Sequence, residues 1–371
     1  LAPFWANDNR LVFGKGKKAD YLEAPGNLGE LYSINREMKE QKIMFGYQPD
    51  VGNRAGRKKD KGWASVIARR GEDRGILIVQ FQAWDEHDKN TYIYQLDPNT
   101  VDRKMIEKIP LESASVVVDF DSVPRFAASV DQQYNPILRY RPTANSEWTP
   151  VPESLAGRNM HVLRFARDNN TAWALITDQG KAEVLYKVDF AKGTREKVLA
   201  LGDYSVGTLL SAGFDGEPFA IYSDAPKPSI QYLDNTSEWA KLHAGLMKQF
   251  AGNLVWMEEF SRDNSKVLVS VTGDRNPGQY YILDRTKNSI GKVLDSYEGV
   301  DLAKLAPMRV LEFSTTDGLK LSAMLTLPIT GTAPYPMVVM SHGGPFGIDD
   351  SWGFDGDAQF FANRGYAVLQ V

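Results

Sequence analysis

The sequence predicts two architectures in succession: an all-β propeller over residues 1–305, with about six of roughly seven blades visible, and the first part of an α/β domain over residues 306–371. Three observations carry this. A β-rich unit repeats at a spacing of 47 or 48 residues, the repeat stops near residue 306, and a glycine loop beyond it joins an apolar strand to a helix.

The repeat has two markers. A polar turn precedes each of the β-rich runs Arg10–Phe13, Gly75–Phe81, Arg125–Val130, Ala172–Ile176, Pro218–Tyr222 and Lys266–Val271. The turns carry Asp8, Asp73, Asp121, Asp168, Asp215 and Asp263, spaced 48, 47, 47 and 48 residues apart after a longer first step of 65. In phase with them runs an aromatic strand and turn: Tyr92–Asp97, Leu185–Asp189, Ile230–Asp234 and Tyr280–Asp284, with weaker copies at Leu31–Asn35 and Leu138–Arg141. Short strands such as Lys197–Leu199 and Lys292–Leu294 follow. A unit of this length holding several short strands matches a propeller blade. One small sheet cannot bury both of its faces, whereas sheets packed face to face can. Trp84-Asp85 occurs once, which excludes a WD40 array. At least one further blade is expected upstream of Leu1.

The long first step holds Gly52-Asn-Arg-Ala-Gly-Arg-Lys-Lys-Asp-Lys-Gly62. It reads as a solvated blade insertion rather than a nucleic-acid patch, because it lacks aromatics and the chain is acidic overall. The balance of 43 basic to 47 acidic residues gives a net charge of −4, which argues against nucleic acid as a partner. There is no cysteine, so disulfides, thiolate metal sites and a cysteine nucleophile are excluded. No apolar run approaches the ~18 residues of a membrane span. A soluble protein is expected, and the composition leaves cytoplasm and periplasm open. The start at Leu1 without Met and the stop at Val371 inside an apolar run are read as truncation at both ends.

From residue 306 the pattern changes. Leu302–Met308 reads as a short helix or linker. Arg309–Phe313 and Leu319–Leu327 read as a hairpin around Thr316-Asp-Gly318. Met337–Met340 is continuously apolar, as expected for a buried parallel strand. Asp357–Arg364 has helical spacing with Gly365 as its C-cap, and Ala367–Val371 reads as a second buried strand. Hairpin, strand, glycine loop, helix and strand open an α/β domain.

The loop is Ser341-His-Gly-Gly-Pro345. In α/β-hydrolases the loop after the third strand supplies one backbone N–H of the oxyanion hole. Glycine lets the backbone approach a developing oxyanion without a Cβ in the way. One such donor stabilises the tetrahedral intermediate by ~3 kcal/mol. Gly343 and Gly344 are the candidate catalytic donors, with His342 and Pro345 shaping the loop. A bare turn is the competing reading; the apolar strand before the loop and the histidine beside it favour function.

Met337–Pro345, Asp350-Ser-Trp-Gly-Phe-Asp355 and Gln359–Val371 resemble the bacterial prolyl oligopeptidase family, in its acylaminoacyl-peptidase or dipeptidyl-aminopeptidase branch. Leu311–Leu321 resembles that family's opening hairpin, and Asp274–Tyr281 its last blade. The resemblance implies a serine-type peptidase acting on short peptides, without a cofactor. It also implies a Ser-Asp-His triad with the serine in a Gly-x-Ser-x-Gly elbow. This chain contains no such elbow, and the family's order puts the triad beyond the strand ending at Val371, so no triad residue is assigned here. The chain alone is expected to be inactive and prone to aggregate through its last segment. An esterase-like hydrolase and a non-catalytic binding propeller are the alternatives.

Other candidates read as structural. Ser341 ends a strand and has no elbow, and His342 orients the loop rather than acting as base. Asp85-Glu-His-Asp88 is a solvated turn rather than a metal cluster. Glu258 and Glu259, a candidate amine-binding pair, read as surface residues. His161 and His243 carry no motif.

Overall fold

The computed structural model describes residues 3–18, 25–47, 60–70, 75–178, 181–214, 216–344 and 348–371. Asp73, Asp215, Pro345 and most of the Gly52–Gly62 insertion therefore lie outside the described residues. The chain divides into two compact units, Leu1–Ala200 and Leu201–Val371.

The first unit is built from four antiparallel meanders. They are β1 (Phe4–Trp5), β2 (Arg10–Lys17), β3 (Gly26–Asn35) and β4 (Lys42–Phe45); then β5 (Gly62–Arg70), β6 (Ile76–Ala83), β7 (Thr91–Leu96) and β8 (Arg103–Ile109). The third holds β9 (Ser115–Val118), β10 (Pro124–Val130), β11 (Pro136–Tyr140) and β12 (Thr149–Pro150). A helical turn, α1 (Glu153–Ala156), leads to β13 (Asn159–Phe165), β14 (Thr171–Thr177), β15 (Val184–Asp189) and β16 (Thr194–Leu199). The second unit continues the series with the three-stranded sheet β17 (Val206–Ala212), β18 (Glu217–Ser223) and β19 (Ile230–Tyr232). Helix α2 (Glu238–Gln249) follows, and then β20 (Leu254–Phe260), β21 (Lys266–Gly273), β22 (Asn276–Asp284) and β23 (Ser289–Asp295). These up-and-down sheets are the blades of a β-propeller.

The first sequence marker falls on the second strand of every blade and the aromatic marker on the third. The aromatic marker also has a geometric role. At Tyr32, Tyr94, Tyr186 and Tyr281 the fourth strand slips by one residue in register, skipping Met44, Ile106, Val198 and Val293 respectively. A bulge at the same place in these four blades strengthens the twist of their outer strands. Turn asparagines link neighbouring blades. Asn169, in the left-handed conformation at φ 56°, accepts from Phe120 N at 2.8 Å. Asn264, at φ 58°, accepts from Phe214 N at 2.6 Å in the second unit. Asparagine tolerates this backbone region and brings its own acceptor.

The cores lie between blades. Phe126 of β10 packs with Val162, Ala172, Ala174, Ile176 and Phe190 of the fourth sheet. Ala172 through Ile176 are all buried. The helix α2 was not expected. Ser237 caps it by accepting from Ala240 N, and its face of Trp239, Leu242, Leu246 and Phe250 packs on the fifth and sixth blades.

After a 3-10 turn at Leu302–Lys304 the fold type changes. Strands β24 (Met308–Ser314) and β25 (Lys320–Thr326) form the expected hairpin, with Gly318 at φ 89° in its turn. Then come β26 (Met337–Met340), α3 (Gly356–Ala362) and β27 (Ala367–Gln370). The sheet order is β24-β25-β27-β26, with β27 antiparallel to β25 and parallel to β26. Helix α3 carries the crossover between the two parallel strands, and Gly365 at φ 89° ends it. This is the start of an α/β-hydrolase domain. One expectation is corrected: β26 is parallel but not buried. Met337 is 53% and Val339 65% exposed, at the edge position that β26 holds in the sheet.

Candidate functional site

The parallel pair β26 and β27 sets where the glycine loop begins. Val371 N donates to Met340 O at 3.1 Å, so the sheet's hydrogen bonding runs up to the residue before Ser341. Ser341, His342, Gly343 and Gly344 then leave the sheet and are exposed. A Cβ added at either glycine would meet no heavy atom of the described residues within 4 Å, so packing does not demand glycine at these positions.

His342 Nδ1–H donates to the carbonyl of Gly343. That contact has a consequence for the next residue. In a trans peptide the N–H points opposite to the C=O of the same unit. With the Gly343 carbonyl turned to the imidazole, the Gly344 N–H faces the other way. Among the described residues no carboxylate is hydrogen-bonded to the His342 ring.

The far side of the loop is fixed by Trp352, which is buried with Met308 and Met324. Trp352 N donates to Pro226 O at 2.8 Å, its indole N–H donates to Met308 O at 3.3 Å, and the Lys227 ammonium lies 4.5 Å from its ring centroid. Asp349 raises the pKa of Asp224, a shift whose larger cause is burial of Asp224 itself.

The remaining candidates stay apart from the loop's chemistry. Asp85 accepts from His87 N, while Asp88 accepts from Asn90 and from the Tyr92 hydroxyl, a self-satisfied turn. Among the described residues no group of His, Asp and Glu is arranged to hold a metal ion. Glu258 and Glu259 lie exposed inside β20, with Glu258 accepting from Ser270 Oγ. His161 is exposed at the start of β13. His243 is fully buried: its Nε2–H donates to Val255 O at 2.9 Å and its Nδ1 accepts from the Tyr232 hydroxyl at 3.0 Å. Burial lowers its pKa and holds it neutral. Burial also pushes the neighbouring Tyr222 hydroxyl up to about 12. This is a core network, not a catalytic one.

Sequence reasoning missed Gln359 and Asp274 as residues around the site. Gln359 is 7% exposed on α3, and its amide bonds the linker and the last blade. A glutamine inside an amphipathic helix carries no pattern that sets it apart from a solvent-facing one.

Propeller blades, an opening hydrolase sheet and a glycine loop after the parallel strand define a class: propeller-bearing α/β-hydrolases. No family model matches the chain. Dipeptidyl aminopeptidase BIII of Pseudoxanthomonas mexicana is 26% identical, over 86% of this chain and 48% of that protein. An acylaminoacyl peptidase of Pyrococcus horikoshii superposes with a TM-score of 0.58 at 13% identity, covering 100% of this chain and 57% of its own. A puromycin-hydrolysing peptidase of Mycobacterium tuberculosis gives 0.62 at 14% identity, covering 100% and 56%. At these identities the two structures speak for the fold alone. The sequence likeness to a dipeptidyl aminopeptidase and the shared fold both agree with the resemblance to the prolyl oligopeptidase family. The chain spans about half the length of the relatives it matches. No helix among the described residues is long and apolar enough to cross a membrane.

Proposed function

We propose that the whole protein is a serine-type peptidase that hydrolyses short peptides, removing N-terminal dipeptides or acyl-amino acids. The observation that carries this is the His342–Gly344 loop at the end of a parallel strand, in a sheet of hydrolase order. In this reading the Gly344 N–H is one oxyanion donor, because the His342 ring holds the Gly343 carbonyl on the opposite side. The nucleophilic serine and its partners are not supplied by these 371 residues, and the chain by itself turns nothing over. The functional boundary falls at residues 305/306, where the fold type changes, and the blades restrict access to short chains. The names of the relatives support the reaction class.

The test uses the full-length protein and a panel of p-nitroanilides: free dipeptidyl, N-acyl-aminoacyl and longer blocked peptides, with p-nitrophenyl esters beside them. Turnover of the first two, falling with peptide length, is expected. Ester cleavage without anilide cleavage overturns the reading. Gly344→Pro removes the proposed donor and lowers kcat by about 10²–10³-fold.

A further inference from the structure

The oxyanion loop is held from beyond its own domain. Gln359 uses its whole amide: Oε1 accepts from Ala306 N at 2.8 Å, and Nε2 donates to Ala306 O at 2.8 Å and to Asp274 O at 3.2 Å. Asp274 sits in the turn between β21 and β22 of the sixth blade, and its carboxylate accepts from Met308 N at 2.8 Å. Met308 in turn offers its carbonyl to the Trp352 indole. Trp352 N bonds Pro226, in the turn between β18 and β19 of the fifth blade. Corresponding turns of two consecutive blades, each between second and third strands, thus grip the first hydrolase strand and the segment following the glycine loop. Ala306, Met308, Trp352 and Gln359 are all buried, so these bonds are shielded from competing water. Among the described residues, the side chains and backbone of 341–344 make one hydrogen bond, His342 to Gly343, so the buried bonds of the flanking segments are what tie this part of the chain to the blades.

The geometry points to Asp274, Gln359 and Trp352 as positioning residues, through which the last two blades set the oxyanion loop. This rests on the peptidase reading for its catalytic consequence but not for its structural one. Asp274→Ala removes the acceptor for Met308 N, while Asp274→Asn keeps an oxygen there. Trp352→Phe removes only the indole N–H and serves where the alanine variant fails to fold.

Two readouts on the full-length protein test it. Hydrogen exchange of the 337–355 segment is expected about tenfold faster in Asp274→Ala, the loss of one charge-assisted hydrogen bond. It stays near wild type in Asp274→Asn. Unchanged exchange in both Asp274→Ala and Trp352→Phe overturns the grip. On a cleaved anilide, Asp274→Ala lowers kcat by about ten- to a hundredfold with KM within about twofold. A raised KM at unchanged kcat overturns the positioning role. A wild-type protein without turnover counts against the peptidase reading, and hydrogen exchange then decides the grip alone.

Discussion

The fourth blade and the C-terminal sheet are written in similar residues and end in different states. In the blade, Ala172-Trp-Ala-Leu-Ile176 is buried throughout, and Phe190 stacks against Phe126, Tyr140 and Phe165 at centroid distances of 6.1, 5.0 and 5.8 Å. In the C-terminal sheet, Met337-Val-Val-Met340 is just as apolar, yet its alternate side chains are open. Register puts Leu311, Phe313, Leu321, Leu325, Leu369, Met337 and Val339 on one face, and five of these seven are more than a third exposed. An apolar run identifies a strand. Whether both of its faces are covered depends on what packs there, and in the blades that covering is built into the repeat.

The largest effect that sharpens this contrast is in stability. Phe190→Ala should cost about 3–5 kcal/mol, since it empties a site among three aromatic and several aliphatic neighbours. Val339→Ala should stay within about 0.5 kcal/mol. Denaturant unfolding of the chain reads both, and equal costs would break the comparison. The next effect concerns the open face. Met337→Lys with Val339→Lys should lower binding of a hydrophobic dye and slow aggregation of the chain while leaving its Tm nearly unchanged. A large Tm loss would mean that the face is covered after all.

A smaller effect comes from His243. Its pKa is lowered in the fold, so the unfolded chain takes up a proton that the fold refuses. Its contribution is complete above the ordinary imidazole value of ~6.5 and is lost as pH falls towards the depressed value. Tm should therefore drop between pH 7 and 5, and His243→Gln should flatten that drop. The smallest effect is Asp349→Asn. It should move the Asp224 titration towards the ordinary carboxylate range without restoring it fully, because burial is the larger cause.

The periodic part of the fold was legible because its signals repeat. Tyr94, Tyr186 and Tyr281 recur at the register slip of the third and fourth strands, and the turn aspartates keep their spacing. First strands such as β13 and β20 carried no marker, since their residues vary with the turn that precedes them. Helix α2 was hidden in the blade rhythm, although Ser237 and the spacing of Trp239, Leu242, Leu246 and Phe250 signal a capped amphipathic helix. The glycine loop was legible as a motif, but the orientation of its Gly343–Gly344 peptide, set against the His342 ring, was not. The roles of Gln359 and Asp274 depend on tertiary hydrogen bonds that no local pattern encodes. The exposure of Val339 was misjudged because the apolar run was read as evidence of its own covering.

The central claim is that this loop serves a serine hydrolase. Treating the full-length protein with a fluorophosphonate probe and mapping the adduct tests it most directly. The account predicts a single labelled serine in a Gly-x-Ser-x-Gly elbow outside residues 1–371, with labelling slowed by Gly344→Pro. A protein that takes up no probe, with no such serine in its sequence, would contradict it and leave the blades as the functional part.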